Sequence, residues 1–243
     1  MIISKKTQLI VALDLPSAQP VPALLRTMPP AISWFKVGLE LFCADGPLAL
    51  TYLQTAHKQI FLDLKLHDIP NTVARAVTAA ARLGASMITI HASGGSNMLR
   101  AAADAAAAFG THRPRLLGVT TLTSLDTEDL AQIGITCPLQ EHAFKLGELA
   151  VRAGLDGLVC SVLEAVHFRK EFGENVLLVT PGIRPADTTA NDQKRIATPA
   201  DAVAAGADFL VVGRPILQAE NPATAALRIL KEIEQAQQHA TDQ

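Results

Sequence analysis

The chain has little cysteine, few aromatic residues and almost no net charge. Its three cysteines, Cys43, Cys137 and Cys160, are too widely spaced for a disulfide framework or a CxxC metal site. The formal net charge is -2 and no basic cluster is interleaved with aromatic residues, which argues against nucleic acid as a partner. No apolar run approaches about 18 residues and the N-terminus lacks an h-region, so the sequence predicts no membrane span and no signal peptide. A reducing cytoplasm is the simplest setting.

Aromatic residues make up 4% of the chain and hydrophobic residues 49%, so aliphatic and alanine-rich packing must supply the core. Short β-rich runs alternate with alanine-rich or amphipathic segments along the whole length. The eight runs predicted to be strands are 8–15, 34–41, 59–66, 87–93, 115–122, 157–161, 176–183 and 208–215. Between them we predict helices, among them 72–84 and 96–110, which end at glycines, and a pair near 126–133 and 139–153.

Continuous apolar strands separated by helices are typical of a parallel sheet covered by helices. Eight such units predict an α/β fold, a single-domain (β/α)8 TIM barrel that spans residues 1–243. The alternative is an open doubly wound sheet, but the first βα turn, LDLPSAQPVP, lacks the GxGxxG motif. In a barrel we expect the active site at the C-terminal rim of the strands.

The segment FLDLKLHDIP places charged residues among apolar ones in the third predicted strand. Because side chains alternate along a strand, Asp63 and Lys65 point to the same side, about 7 Å apart. Asp14 and Lys36 lie at the same rim, and Asp68 completes a Lys-Asp-Lys-Asp array if it folds back over the mouth. A salt-bridge lattice that satisfies only itself is the alternative, but burying four charges is unfavourable unless their geometry is excellent. The cluster therefore predicts a functional site.

The seventh and eighth strands both end in glycine and arginine. TPGIR contains Gly182 and Arg184, and VVGRP contains Gly213 and Arg214. Glycine lets an anion approach the backbone N–H groups, the arginine fork fits phosphate oxygens, and these two strands often bind phosphate in barrels. Gln193, in the intervening loop, could reach the same anion. The pattern predicts a phosphate site, with two tight turns carrying surface arginines as the alternative.

Other polar residues give weaker signals. His67, His91 and nearby carboxylates could be combined into a metal site, but their spacing matches no recognised metal motif, so structural histidines are favoured. Cys160 lies in a predicted strand without a clear base partner and is interpreted as a core residue. We therefore predict no metal ligands.

FLDLKLHDIPNTV resembles the signature of the bacterial orotidine 5'-phosphate decarboxylase family. The resemblance extends in the family's order through VALDL, FKVGLELF, HASGG, TLTS, TPGIRP, DQKR and VVGRPI, and so covers nearly the whole chain. The departures are small. Thr121 stands where a more apolar residue is expected, and Val162 and Leu163 occupy a variable-looking turn. No catalytic residue of the family's pattern is missing.

The resemblance implies a homodimeric barrel that releases CO2 from C6 of orotidine 5'-phosphate and gives UMP, without a metal or an organic cofactor. The catalytic charged residues implied by motif matching are Lys36, Asp63, Lys65 and Asp68. Asp68 and Thr72 would be donated across the dimer interface, Asp14 would hold the ribose and Thr123 the pyrimidine edge. The implied phosphate ligands are Arg184, Gln193, Gly213 and Arg214.

Loss of CO2 from C6 leaves an in-plane carbanion that the ring carbonyls cannot absorb by conjugation, so a fixed ammonium in a dry cavity suits the reaction. Lys65 is our candidate for this ammonium and for the proton donor to C6, and Asp63 would repel the substrate carboxylate until CO2 leaves. Two alternatives stay open. One is a Mg2+-dependent decarboxylase or aldolase of a keto-sugar phosphate, since such barrels share a DxKxxD element, and the other is a non-catalytic barrel that binds phosphoribosyl ligands.

Overall fold

The computed structural model describes residues 6–185 and 197–241, and these contain a closed parallel β-barrel surrounded by helices. The strands pair in chain order, and β8 pairs with β1 to close the barrel. The strands are β1 Gln8–Ala12, β2 Trp34–Gly38, β3 Gln59–Leu66, β4 Met87–His91, β5 Arg115–Val119, β6 Gly157–Val159, β7 Leu177–Thr180 and β8 Phe209–Val212. The predicted (β/α)8 barrel is therefore confirmed, whereas a single domain across residues 1–243 stays a prediction.

Helices cover the outside of the barrel. Those of the described residues are α1 Val21–Thr27, α2 Leu39–Thr55, α3 Pro70–Arg82, α4 Gly95–Ala107, α5 Thr127–Gln132, α6 Leu139–Arg152, α7 Val162–Phe172, α8 Pro199–Ala204, α9 Arg214–Leu217 and α10 Pro222–Thr241. The predicted pair after the fifth strand is present as α5 and α6. Gly84 and Gly110, just beyond α3 and α4, have φ angles of 74° and 56°, which glycine adopts without strain. None of these helices is long and apolar enough to cross a membrane.

The strand ends differ from the sequence prediction in a regular way. β3 ends at Leu66 as predicted, but the other strands end two or three residues earlier. The apolar pattern continues past the true strand ends because the first residues of the following loops and helices are apolar too; Leu39 and Leu41, for example, belong to α2. The residues just beyond the strands are therefore available to line the mouth of the barrel.

The core has two layers because alternate strand residues face opposite ways. The inner layer fills the barrel and consists of Ile10, Ala12, Trp34, Phe61, Met87, Leu117, Leu177, Val179, Phe209 and Val211. Residues next to them, such as Val11, Phe35 and Leu62, belong to the outer layer beneath the helices. On the inner face, Trp34 is followed two residues later by Lys36, and Phe61 is followed by Asp63. The polar residues at the mouth of the barrel thus lie above the apolar inner layer.

Candidate active site

A cavity of about 240 Å³ opens at the C-terminal end of the barrel. The predicted site residues that line it are Asp14, Lys36, Asp63, Lys65, Thr123, Arg184, Gly213 and Arg214. Residues far apart in the chain meet here because parallel strands bring all their carboxyl ends to one rim. The structure thus brings together most of the residues that the sequence singled out.

Acidic and basic side chains alternate along one wall of the cavity. Lys36 Nζ lies 2.9 Å from Asp14 Oδ1 and 3.6 Å from Asp63 Oδ2. Lys65 Nζ donates a hydrogen bond to Asp63 Oδ1 at 2.9 Å. The side chain of Asp63 is 12% exposed and that of Asp14 48%, so the carboxylates become more buried toward the interior. We name Lys36, Asp63 and Lys65 the charged array.

The array keeps its central members ionised despite their burial. Burial by itself would raise the pKa of Asp63, but the ammonium groups of Lys36 and Lys65 outweigh it, and hydrogen bonds from Lys65 and Thr89 help hold this pKa below its ordinary value. Burial likewise would lower the pKa of Lys36, but the carboxylates of Asp63 and Asp14 hold it above its ordinary value. Each charge therefore stabilises its neighbour.

Lys65 departs from regular strand geometry. Its φ is 50°, in the left-handed region that residues with a side chain rarely adopt. The register also shifts here, because Leu62 pairs with Ile88 but Leu66 pairs with Ile90, so a step of four residues on β3 matches a step of two on β4. Sequence reasoning missed this bulge, since the run around it has the alternation of an uninterrupted strand.

Two glycines leave room for the charged side chains. A Cβ atom on Gly38 would lie 2.8 Å from Lys36 Nζ, and one on Gly213 would lie 2.9 Å from Asp14 Oδ2. Sequence reasoning singled out Gly213 as a phosphate ligand but missed Gly38. Its position two residues after Lys36, on the same strand face, was the available signal.

The arginines predicted to bind phosphate lie at the ends of β7 and β8. Arg184 is only 7% exposed, and its guanidinium donates to the carbonyl of Ile183 at 3.0 Å. Gly182 has a φ of 78°, an angle suited to glycine, and Arg214 begins α9. Both arginines line the cavity. Another predicted phosphate ligand, Gln193, lies outside the described residues.

Asp68 and Thr72 do not line the cavity of their own barrel. The carboxylate of Asp68 is exposed and accepts a hydrogen bond from the Ile69 N–H at 2.6 Å, and Thr72 is exposed near the start of α3. The array within one chain therefore consists of Lys36, Asp63 and Lys65. Donation of Asp68 and Thr72 from a second subunit stays a prediction.

His67 and His91 lie side by side near the array, with ring centroids 5.5 Å apart. Burial lowers the pKa of His91, and His67 and Lys65 lower it further, against the opposite influence of Asp63. Within the described ranges, no group of three or more His, Cys, Asp or Glu residues is arranged to hold a metal ion. Cys160 is a buried core residue, as predicted, and it also borders the cavity.

The chain is similar to known proteins over most of its length. The model of the family described as "Orotidine 5'-phosphate decarboxylase / HUMPS family" matches residues 7–229. The orotidine 5'-phosphate decarboxylase of Hydrogenovibrio crunogenus is 50% identical over 226 residues, which are 93% of this chain and 94% of that protein. The enzyme of the same name from Halorhodospira halophila is 51% identical over 93% of this chain and 95% of its own. The crystal structure of orotidine 5'-phosphate decarboxylase from Lactobacillus acidophilus has a TM-score of 0.83 at 38% identity, covering 94% of this chain and 99% of that chain.

Proposed function

Because the chain belongs to the orotidine 5'-phosphate decarboxylase / HUMPS family, we propose that it is a carboxy-lyase that converts orotidine 5'-phosphate into UMP and CO2, the last step of UMP synthesis. The observation that carries the proposal is a single cavity lined both by the charged array and by Arg184 and Arg214. The array supplies charge for the reacting ring, and the arginines supply donors for a phosphate.

Lys65 stabilises the negative charge that develops at C6. As the bond between C6 and the carboxyl carbon breaks, the electron pair stays on C6, and the lysine ammonium then gives it a proton. Unit charges about 4 Å apart interact by roughly 4 kcal/mol at an effective dielectric of about 20, which corresponds to about a thousandfold in rate. The ion pair with Asp63 fixes the ammonium before the substrate arrives, so little reorganisation is needed.

The remaining members of the wall position the substrate. Asp63, held between two ammonium groups, faces the substrate carboxylate, and their repulsion disappears as CO2 leaves. Lys36 holds both Asp63 and Asp14 in place, and Asp14 accepts hydrogen bonds from the ribose hydroxyls. Thr123, which lines the cavity beyond β5, binds the pyrimidine edge.

The phosphate is bound by Arg184, Arg214 and the backbone at Gly213, with Gln193 as a further ligand. This group lies far from the bond that breaks, yet its binding energy can fix the ring against the charged array. Buried arginine suits this role because its guanidinium stays charged and offers two parallel donors. The chemistry needs neither a metal nor an organic cofactor.

We also propose that the enzyme is a homodimer in which Asp68 and Thr72 complete the partner's site. The support is their exposure beside Ile69, an apolar side chain that is 66% exposed between β3 and α3. Mixing two inactive variants, Lys65→Ala and Asp68→Ala, tests this arrangement. If the sites are shared, re-equilibrated mixtures recover about a quarter of wild-type activity, because each mixed dimer has one intact site. If Asp68 acts in its own barrel, mixing restores nothing.

A cytoplasmic location is part of the proposal. Cys43, Cys137 and Cys160 are all free thiols, as expected in a reducing compartment.

The decisive assay follows the absorbance of orotidine 5'-phosphate with purified protein, with and without EDTA. We expect EDTA-insensitive formation of UMP that falls by orders of magnitude in Lys65→Ala. Lys145→Ala is the control, since Lys145 is exposed on α6 and pairs only with Glu141 among the described residues. Undiminished turnover in Lys65→Ala would refute the role of that lysine. EDTA-sensitive turnover of a keto-sugar phosphate would favour the metal-dependent alternative, and UMP binding without turnover would favour a non-catalytic barrel.

The position of Lys36 in the cavity wall argues against the metal-dependent alternative. A divalent ion shared by Asp14 and Asp63 would have to lie between them, and the ammonium of Lys36 occupies that position. The geometry therefore favours the decarboxylase.

A further inference from the structure

Thr89, in the middle of β4, lies directly behind the charged array. It is fully buried, at 0% exposure, and does not line the cavity. Its hydroxyl donates to Asp63 Oδ1 at 3.0 Å and accepts from the backbone N–H of Lys65 at 2.9 Å. A threonine hydroxyl has one proton to donate, so this donor is fully committed to Asp63.

The backbone of Lys65 needs such a partner. The bulge interrupts the regular pairing of β3 with β4, and the left-handed φ of Lys65 persists only if its surroundings hold it in place. The hydroxyl of Thr89 accepts the Lys65 N–H at the point where the ladder is interrupted. One side chain on the neighbouring strand therefore supports the conformation of the lysine.

The same hydroxyl also orients Asp63. Oδ1 of Asp63 accepts from both Thr89 and the Lys65 ammonium, while Oδ2 faces Lys36 at 3.6 Å. Rotation of the carboxylate would break the bond to Thr89. Thr89 thus helps decide which oxygen faces which lysine.

We propose that Thr89 is a positioning residue for the decarboxylation, which fixes the Lys65 backbone and the Asp63 carboxylate relative to each other through one hydroxyl without touching the substrate. The inference rests on the proposed function and deepens it, because it adds a buried residue on β4 to the residues of the charged array that support the reaction.

The substitution Thr89→Val removes the hydroxyl and keeps the shape. We expect kcat to fall about 10- to 100-fold with KM changed less than about threefold, because substrate contacts remain while the reacting groups lose their alignment. Thr89→Ser keeps the hydroxyl and should retain kcat within about threefold. Thr7→Val is the matched control, since Thr7 is also buried and its hydroxyl donates to the Ala207 carbonyl at 2.9 Å, at the opposite end of the barrel.

The pH dependence of kcat/KM distinguishes a positioning role of Thr89 from a purely structural one. Thr89 donates to the charged form of Asp63, so Thr89→Val should raise the pKa of that carboxyl and move the acid limb of kcat/KM to higher pH. The other charged or titratable groups around it are Lys36 on β2, Lys65 on β3 and His91 on β4, and the variant retains them all. The acid limb of Thr7→Val should match that of the wild type.

Hydrogen exchange at the Lys65 amide tests the inference without turnover. Exchange of a peptide covering residues 62–68 should be faster in Thr89→Val than in the wild type, Thr89→Ser and Thr7→Val. Unchanged exchange and kcat in Thr89→Val would overturn the inference, as would equal losses of kcat in Thr89→Val and Thr7→Val. If the wild type leaves orotidine 5'-phosphate intact, the proposed function fails, and the exchange experiment still decides whether Thr89 holds the bulge.

Discussion

The substitution Gly38→Ala would move a charge of the array without removing it. The backbone at Gly38 has φ -95° and ψ -173°, angles that alanine adopts without strain. The added Cβ would lie 2.8 Å from Lys36 Nζ, however, closer than the 3.4 Å at which ordinary contact begins. The ammonium must therefore retreat by about 0.6 Å, the difference between these two distances.

This retreat weakens the ion pairs of Lys36. At an effective dielectric of about 20, lengthening the 2.9 Å contact with Asp14 to about 3.5 Å loses roughly 1 kcal/mol, and the contact with Asp63 loses somewhat less. If this energy serves the transition state, kcat should fall about 5- to 20-fold. The free energy of unfolding should change by less than about 1 kcal/mol, because a flexible side chain can move and alanine restricts the unfolded chain.

Steady-state kinetics with orotidine 5'-phosphate and urea unfolding of the same preparations check both parts. Gly110→Ala is the control, because Gly110 has a left-handed φ of 56° at the other end of the barrel and no atom near its missing Cβ. It should lose about 1 kcal/mol of stability and keep its activity. Wild-type kcat in Gly38→Ala would refute the claim that the position of the Lys36 ammonium matters. A large loss of stability would show that the array serves the fold instead.

Three further results are expected. The lowered pKa of Asp63 contributes stability that is complete above about pH 5 and is lost as the pH falls, first through the pKa of an unfolded aspartate and then through that of folded Asp63. In urea unfolding, the free energy of unfolding should therefore fall more between about pH 6 and pH 3 for the wild type than for Asp63→Asn. Arg169→Met should lower the free energy of unfolding by about 3 kcal/mol or more, because the Arg169 guanidinium donates at 2.8 Å to the carboxylate of Asp208, which is 5% exposed. A urea unfolding curve that matches the wild type would contradict this. Arg184→Ala and Arg214→Ala should each lower kcat/KM for orotidine 5'-phosphate by about 10- to 100-fold. The reaction of phosphate-free orotidine should stay unchanged. Equal losses of kcat/KM on both substrates would contradict the role of these arginines as phosphate ligands.

Local pattern was enough to predict the architecture and the polar face of the third strand. Eight apolar runs separated by helical segments predict a barrel, and the two-residue spacing of Asp63 and Lys65 places them on one face. The elements and their side-chain directions follow from local geometry, which neighbouring residues determine, and the count of eight units then favours a closed barrel. The end of α3 was also accessible, because Gly84 lies two residues beyond it and adopts an angle that few other residues tolerate, whereas α4 ends three residues before Gly110.

Contacts between strands could not be predicted from the local sequence pattern. Thr89 is 26 residues from Asp63 and reads in the sequence as an ordinary strand residue, and the bulge at Lys65 interrupts a run whose alternation is regular. Gly213 lies against Asp14 only because β8 pairs with β1 when the barrel closes. Spacing along the chain predicts that Asp63 and Lys65 share a strand face, since side-chain direction repeats every two residues along a strand. Which side chains touch across the mouth emerges only from the folded barrel, since hydrogen-bond distances depend on how strands remote in the chain are paired and staggered.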